Sequence, residues 1–297
     1  MQLHFPEGFL RLFPMYGRYM RDTFSLNIRG RLLWLDRPMV MGILNVTPDS
    51  FFEESRVPDD AIVSRVRKML ADGADIIDVG GCSTRPGSAP ATECEELGRL
   101  HRALDVLDRE FPDAVVSIDT FRGGVVRECV ERHNVSIVND VSAFAWDPAM
   151  FDAVADARLP YILTHSAGAA GSSPEYKDFM PEVLHSLSAS LWELRSRGVA
   201  DVIVDPGFGF GKSVEQNYVM LAQLREFGML DTPILVGLSR KSMITKVLGV
   251  DASQALNGTT ALNMAALLGG AHILRVHDVR AAAETVSLFQ KMQSSSM

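Results

Sequence analysis

Three cysteines in 297 residues, an odd total with no C-x-x-C pair among them, argue against a disulfide framework. Cys82, Cys94 and Cys129 suit a reducing compartment, and a cytoplasmic protein is expected. No apolar run reaches the roughly 18–20 residues that cross a bilayer, so no membrane partner is expected. Positive charge is also in short supply. The formal net charge is −8, without the basic face that general nucleic-acid or membrane-surface binding needs. The chain has no Pro/Ser linker and no fixed-period repeat beyond an alternation of strand and helix patterns. Residues 1–24 mix bulky and basic residues without a continuous apolar core or a small-residue cleavage site, so no secretory signal is expected. They read as an appended arm, or as an upstream start with Met20 nearer the ancestral beginning. Residues 25–297 read as one domain.

What is present is an ordered series of short apolar runs, in a chain whose 47% apolar content supplies one core of this size. Bounded by Gly and Pro and separated by helical stretches, they read as buried parallel strands near 40–45, 75–79, 115–118, 136–138, 160–164, 201–204, 233–236 and 271–274. Helical patterns lie near 59–72, 92–110, 122–132, 148–158, 181–198, 213–227, 257–269 and 279–293. Thr92 with Glu95 and Ser213 with Gln216 have capping-box spacing, and Gly73, Gly198, Gly228 and Gly270 stand where left-handed caps are expected. Residues 25–37 read as a short hairpin, with Arg29-Gly30 at its turn, that would plug the bottom of a barrel. An open doubly wound sheet would carry a Gly-rich turn after its first strand, and NVTPDSF has none. The pattern therefore predicts an α/β fold, a (β/α)8 TIM barrel with a short N-terminal hairpin or arm.

Nearly every strand ends in a residue that can do chemistry: Asn45, Asp78, Asp119, Asn139, Asp205, Lys241, then Arg275, His277 and Asp278. Parallel barrel strands point their C-terminal ends at one face, so these residues should converge on one pocket. Asn45, in NVTPDSF, offers an amide oxygen to a hard cation such as Mg2+, although the same residues favour a plain turn. The loop GGCSTRPGS brings two hydroxyls and Arg85 towards an anion, or is a solvated connector. With the first loop it can close as a lid. Asp119 can stabilise positive charge developing on a substrate carbon, but either it or Thr120 can instead cap the next helix. In DPGFGFGKS, Walker A and G-x-G-x-x-G spacings both fail. The glycines at 207, 209 and 211 let backbone pass close to a flat ligand, beside Asp205 and an aromatic wall of Phe208 and Phe210. Arg240, Lys241, Arg275 and His277 form a local basic cluster suited to a phosphate group.

GILNVTPDSF, DVGG-STRPGS, SIDT, ND, DPGFGFGK, LSRKS and GAHILRVHDV, in this order, resemble dihydropteroate synthase of the bacterial folate pathway, from about Phe24 to the C-terminus. The resemblance implies a TIM-barrel transferase, a cytoplasmic Mg2+-dependent homodimer and sulfonamide target. It would join 6-hydroxymethyl-7,8-dihydropterin diphosphate to 4-aminobenzoate, releasing pyrophosphate and 7,8-dihydropteroate. It implies that Asn139, Asp205 and Lys241 hold the pterin, with Asp119 beneath its reactive end. Asn45 with Mg2+, Thr84, Arg275 and His277 would hold the diphosphate. Thr84, Arg85, Pro86, Phe210, Lys241 and Ser242 would form the aminobenzoate site. Asp119, Asn45 and Lys241 are the implied catalytic residues of a dissociative substitution in which diphosphate leaves before the amine adds. The chain departs from the family at Cys82, where Glu is usual, and at Thr164-His165-Ser166, where Met-His-Met is usual, making the pterin pocket more polar. A methyltetrahydrofolate:corrinoid methyltransferase domain and an inactive, regulatory pterin-binding paralogue share the barrel. The STRPG loop, SRK turn and RVHD pair favour the synthase over the first of these.

Overall fold

Buried strands covered on both faces should be apolar throughout, and a short hairpin should be apolar on one face only. Both patterns hold in the structure, a computed structural model that describes residues 23–47, 58–82, 91–166 and 176–295. Residues 1–22, 48–57 and 83–90 lie outside the described residues, and with them Thr84, Arg85, Pro86 and the lid reading. The hairpin is β1 (Phe24–Ile28) paired antiparallel with β2 (Arg31–Leu35). Its turn places Arg29 at φ 49° and Gly30 at φ 83°, two left-handed residues in succession as in a type I′ turn. The Arg29 guanidinium donates to the carbonyls of His133 and Val135, at 2.6 and 2.8 Å.

Eight parallel strands follow: β3 (Met39–Asn45), β4 (Ile76–Gly80), β5 (Val115–Asp119), β6 (Ile137–Asp140), β7 (Tyr161–Thr164), β8 (Val202–Asp205), β9 (Leu235–Val236) and β10 (Ile273–Val276). They pair in the order β8-β7-β6-β5-β4-β3-β10-β9, and a parallel bridge between Val204 and Ile234 joins the two ends of that series. The helices are α1 (Pro58–Ala71), α2 (Glu93–Glu110), α3 (Gly123–Arg132), α4 (Ala149–Ala157), α5 (Phe179–Ser196), α6 (Val214–Ala222), α7 (Ser242–Leu248), α8 (Leu256–Leu268) and α9 (Val279–Ser294).

Side-chain alternation divides the core in two. Outward residues such as Val79, Ile118, Leu163 and Leu274 pack with helix residues such as Leu104, Val126 and Leu187. Inward residues Met41, Ile76, Ile137, Ile162, Ile203 and Ile273 pack with Leu26, Ile28 and Leu35 of the hairpin. The hairpin therefore plugs the barrel as expected, each buried Leu contributing about 2 kcal/mol.

Both capping boxes form, at Thr92 and Ser213, and Gly73, Gly198 and Gly270 adopt φ of 101°, 86° and 97°. The helix expected at 213–227 breaks at Gln223. Leu224–Leu230 continues as a 3-10 helix, because Leu224, Phe227 and Leu230 bury at a spacing of three. Gly228 lies inside that segment, and Asp231 supplies the left-handed cap at φ 51°. Helix α7 and a 3-10 turn at Ala252–Gln254 were not expected from the pattern.

Candidate active site

Moving two residues along a strand keeps a side chain on the same face. One such step beyond the plugged level, Ile76, Ile137, Ile203 and Ile273 give way to Asp78, Asn139, Asp205 and Arg275. The barrel interior thus passes from apolar to charged within one layer. Arg275 lies at the centre of one side. Its Nε donates to Asp78 Oδ2 at 2.7 Å, its Nη2 reaches Asp119 Oδ2 at 2.5 Å, and Asn139 Nδ2 donates to Asp78 Oδ2 at 3.1 Å. Burial opposes the Arg275 charge, but Asp78 and Asp119 outweigh it and hold the guanidinium above its ordinary range. Burial pushes Asp119 up to about 7, with Arg275 opposing and Asp78 assisting the rise. Asp78 Oδ1, Ser117 Oγ and Thr164 Oγ1 are buried without a hydrogen-bond partner, so this level has polar capacity to spare.

Asp205 and Lys241 form the other side. Burial raises the Asp205 carboxyl against the pull of Lys241, and it lowers Lys241 to about 8 against the pull of Asp205. The Lys241 ammonium donates to the Phe208 carbonyl and stands 4.8 Å from the centre of the Phe210 ring. Asp205 Oδ1 accepts the Gly207 N–H at 2.8 Å. Gly207 has φ 75°, and a Cβ there would stand 1.9 Å from the His165 carbonyl oxygen, so the glycine is needed for backbone–backbone approach. Lys212 fastens this loop by donating to the carbonyls of His165, Gly207 and Phe210 at 3.0, 2.8 and 3.2 Å. Burial lowers His165 to about 3, which keeps its ring neutral.

At the rim, Asn45, Gly80 and Asp119 are register neighbours on β3, β4 and β5. A Cβ on Gly80 would lie 3.3 Å from Asn45 Oδ1 and 3.7 Å from Asp119 Cβ, so the glycine keeps the space between them open. The His277 N–H donates to Ser239 Oγ at 3.2 Å, and His277 Nδ1 lies 3.0 Å from the same oxygen. Ser242 begins α7 directly after Lys241. A barrel mouth that gathers carboxylates, an amide, a buried ammonium and a guanidinium suits a flat, donor-rich heterocycle bearing an anionic group.

Comparison with known proteins agrees with that chemistry. The pterin binding enzyme family matches residues 41–277. The dihydropteroate synthase of Escherichia coli strain K12 is 38% identical over 279 residues, covering 91% of this chain and 97% of that protein. The chain belongs to the dihydropteroate synthase family. Among solved structures, a Xanthomonas albilineans dihydropteroate synthase with 4-aminobenzoic acid superposes with a TM-score of 0.84 at 38% identity, covering 92% of this chain and 99% of that one. A Yersinia pestis dihydropteroate synthase in a sulfonamide complex has a TM-score of 0.84 at 37% identity, covering 92% and 100%. The chain is accordingly a transferase of this family with the TIM-barrel fold.

Among the residues expected at the site, Asn45, Asp119, Asn139, Asp205, Lys241, Arg275 and His277 all lie at or just beyond the C-terminal ends of the barrel strands. Phe210 stands beside Lys241. Three expectations need correction. Asp119 does not cap α3, whose first N–H is taken by Asp147 Oδ2 at 2.7 Å, while Thr120 Oγ1 accepts the N–H of Arg122. Phe208 is fully buried in the outer core, so it contributes a carbonyl to the pocket and no aromatic wall. The basic cluster is largely compensated. Arg240 is paired with Asp278, and Arg275 with Asp78 and Asp119. Asp78 was expected at the pocket but given no particular task there, and Lys212 was not singled out. The signal for Asp78 was its inward parity, two residues after Ile76. Of the departures, Thr164 is 1% exposed in register with Asp205, whereas Cys82 and Ser166 are half-buried.

Proposed function

We propose that the chain condenses 6-hydroxymethyl-7,8-dihydropterin diphosphate with 4-aminobenzoate, giving 7,8-dihydropteroate and pyrophosphate by dissociative substitution. The observation that carries this reading is the sharing of Arg275 between Asp78 and Asp119, beside a second buried pair of opposite charges, Asp205 and Lys241. Asp205 accepts hydrogen bonds from the pterin's amino and ring N–H groups with the oxygen that Gly207 leaves unused, and Asn139 and Lys241 complete the ring contacts. Arg275 and His277 hold the diphosphate. A diphosphate oxygen on Arg275 competes with Asp119, leaving the Asp119 carboxylate to face the cation that forms as the C–O bond breaks. The amine of 4-aminobenzoate then adds to that carbon and loses its proton. No protein nucleophile takes part.

Mg2+ belongs to this proposal. Among the described residues no group of three His, Cys, Asp or Glu side chains can hold a metal. The Asn45 amide oxygen, at the rim beside the space that Gly80 keeps open, is a fitting donor for an ion that takes most of its ligands from phosphate and water. Bound there, Mg2+ would neutralise charge on the leaving diphosphate. A homodimer is part of the same reading, supported by Val247, Leu248 and Leu256 on α7 and α8, which are 58%, 51% and 41% exposed. A cytoplasmic site is supported by three cysteines outside any disulfide. No helix among the described residues is long and apolar enough to cross a membrane.

The test is sustained turnover, with pyrophosphate and 7,8-dihydropteroate formed in equal amounts from the pterin diphosphate, 4-aminobenzoate and Mg2+ together. Pyrophosphate release without formation of 7,8-dihydropteroate when 4-aminobenzoate is present would overturn the synthase reading. Tight pterin binding without turnover would favour a regulatory paralogue.

A further inference from the structure

Arg240 looks in sequence like one more cation for the substrate, but its fork is filled by Asp278. Nε and Nη2 reach the two carboxylate oxygens at 2.9 and 2.7 Å. Both partners forgo local stability to make this contact. Arg240 sits in the left-handed region at φ 58°, which side-chain-bearing residues avoid. Its N–H is fastened to Thr259 Oγ1 of α8 at 3.1 Å. Asp278 occupies the N-cap of α9, where aspartate normally accepts a helix N–H, yet it makes no side-chain cap bond. Its carboxylate is spent on Arg240. Costs of this kind persist where the surrounding function requires the geometry.

The pair lies between residues of the pocket. Arg240 stands between Ser239 and Lys241, and Asp278 directly follows His277. A second tie runs beside it, since Ser239 Oγ accepts the His277 N–H at 3.2 Å. Two side-chain bonds thus register the loop after β9 against the end of β10, with Lys241 on one segment and His277 on the other. We propose that Arg240–Asp278 is a positioning pair that touches no substrate and holds Lys241 and His277 in register, so that the pterin and diphosphate contacts form together. The proposal rests on the synthase reading.

The experiment measures kcat/KM for pterin diphosphate, and calorimetric affinity for inorganic pyrophosphate, in Arg240→Gln, Asp278→Asn, their combination and the charge swap Arg240→Asp with Asp278→Arg. Aspartate tolerates the left-handed conformation at 240, so the swap is not barred by the backbone. Each single variant should lose about 10- to 100-fold in kcat/KM, the size expected when a reacting contact is displaced by about 1 Å. The combination should be no worse than either single variant, and the swap should recover most of the loss. Losses that multiply would overturn the proposal. So would lower melting temperatures with unchanged kcat/KM, which would mark a purely structural pair. Tighter pyrophosphate binding in Asp278→Asn would also overturn it, because a released Arg240 would then be a ligand for the anion. If wild-type protein releases no pyrophosphate from the two substrates, the synthase reading fails, while the pyrophosphate affinities of the same variants still decide the role of the pair.

Discussion

Replacing Asp78 by Asn should move the ionisation of Asp119 while leaving the proposed ligand-facing atoms in place. Both carboxylates bind Arg275 Nη2, at 2.6 and 2.5 Å, so the oxygens concerned can be no more than about 5 Å apart. Like charges at that separation repel by about 3 kcal/mol at an effective dielectric constant near 20. That energy corresponds to about two pH units. Asparagine keeps an acceptor oxygen for Arg275 Nε and removes the charge, after which Arg275 is neutralised by Asp119 alone. Both changes favour the Asp119 carboxylate. In the wild type, kcat/KM should rise with pH through about 7 as Asp119 loses its proton. In Asp78→Asn the absolute rate falls, but the acid limb should move down by about two pH units. Stability provides a second readout. The Asp119 pKa is raised on folding, so the native state keeps a proton that the unfolded chain has released between about pH 4 and pH 7. Wild-type stability contributed by this group is present below that window and falls as pH rises through it. The variant should lose part of that slope in urea titrations, the part due to burial remaining. An acid limb still at about 7 in the variant would refute the like-charge account.

The basic limb should belong to Lys241, whose charge is lost as pH rises through about 8. Lys241→Arg should remove that limb whatever it does to the absolute rate, and a limb still near 8 would assign it elsewhere. Asp205→Asn should weaken pterin binding by roughly 100-fold, because an amide N–H₂ replaces an acceptor facing ligand donors. Calorimetry showing unchanged affinity would refute that role. Leu35→Ala, at a position with 0% exposure in the hairpin plug, should cost about 3 kcal/mol in denaturant unfolding. KM for both substrates should stay unchanged, and a shifted KM would show that the plug also shapes the pocket.

The barrel was legible because its signals are local and periodic. Runs such as DIIDVGG and DVIVDP carry an inward Ile followed two residues later by an inward Asp, and that parity survives any error in strand boundaries. The capping boxes at Thr92 and Ser213 were legible for the same reason, since partners three residues apart can only meet at a helix start. The break after Gln223 was not, because Leu224, Phe227 and Leu230 suit an α-helix or a 3-10 helix until packing chooses between them. Helix α7 has seven residues and no side-chain cap at Lys241, too little for any period to show. The pairing of Arg240 with Asp278 spans 38 residues and depends on how β9 and β10 are aligned, which composition does not encode. Asp119 illustrates a further limit. In sequence it fits a helix cap as well as a catalytic carboxylate, and only the capture of the α3 N–H by Asp147 separates the two.

The same compensation answers how an acidic protein receives an anionic substrate. Among the described residues, Asp78, Asp119 and Asp205 stand against Arg275, Lys241 and Lys212, so the charges of this interior region are largely compensated. It therefore cannot act as a basic sink. Under the proposed reaction, a diphosphate binds by exchanging places with Asp119 on Arg275, and the gain is the difference between two ion pairs, with no charge pairing gained from nothing. That exchange frees Asp119 to face the pterin's reactive end in the same event that seats the leaving group, and the cation forming there replaces Arg275 as its counter-charge. Cation formation is thereby favoured only when the diphosphate is present, which is the coupling that a dissociative substitution requires.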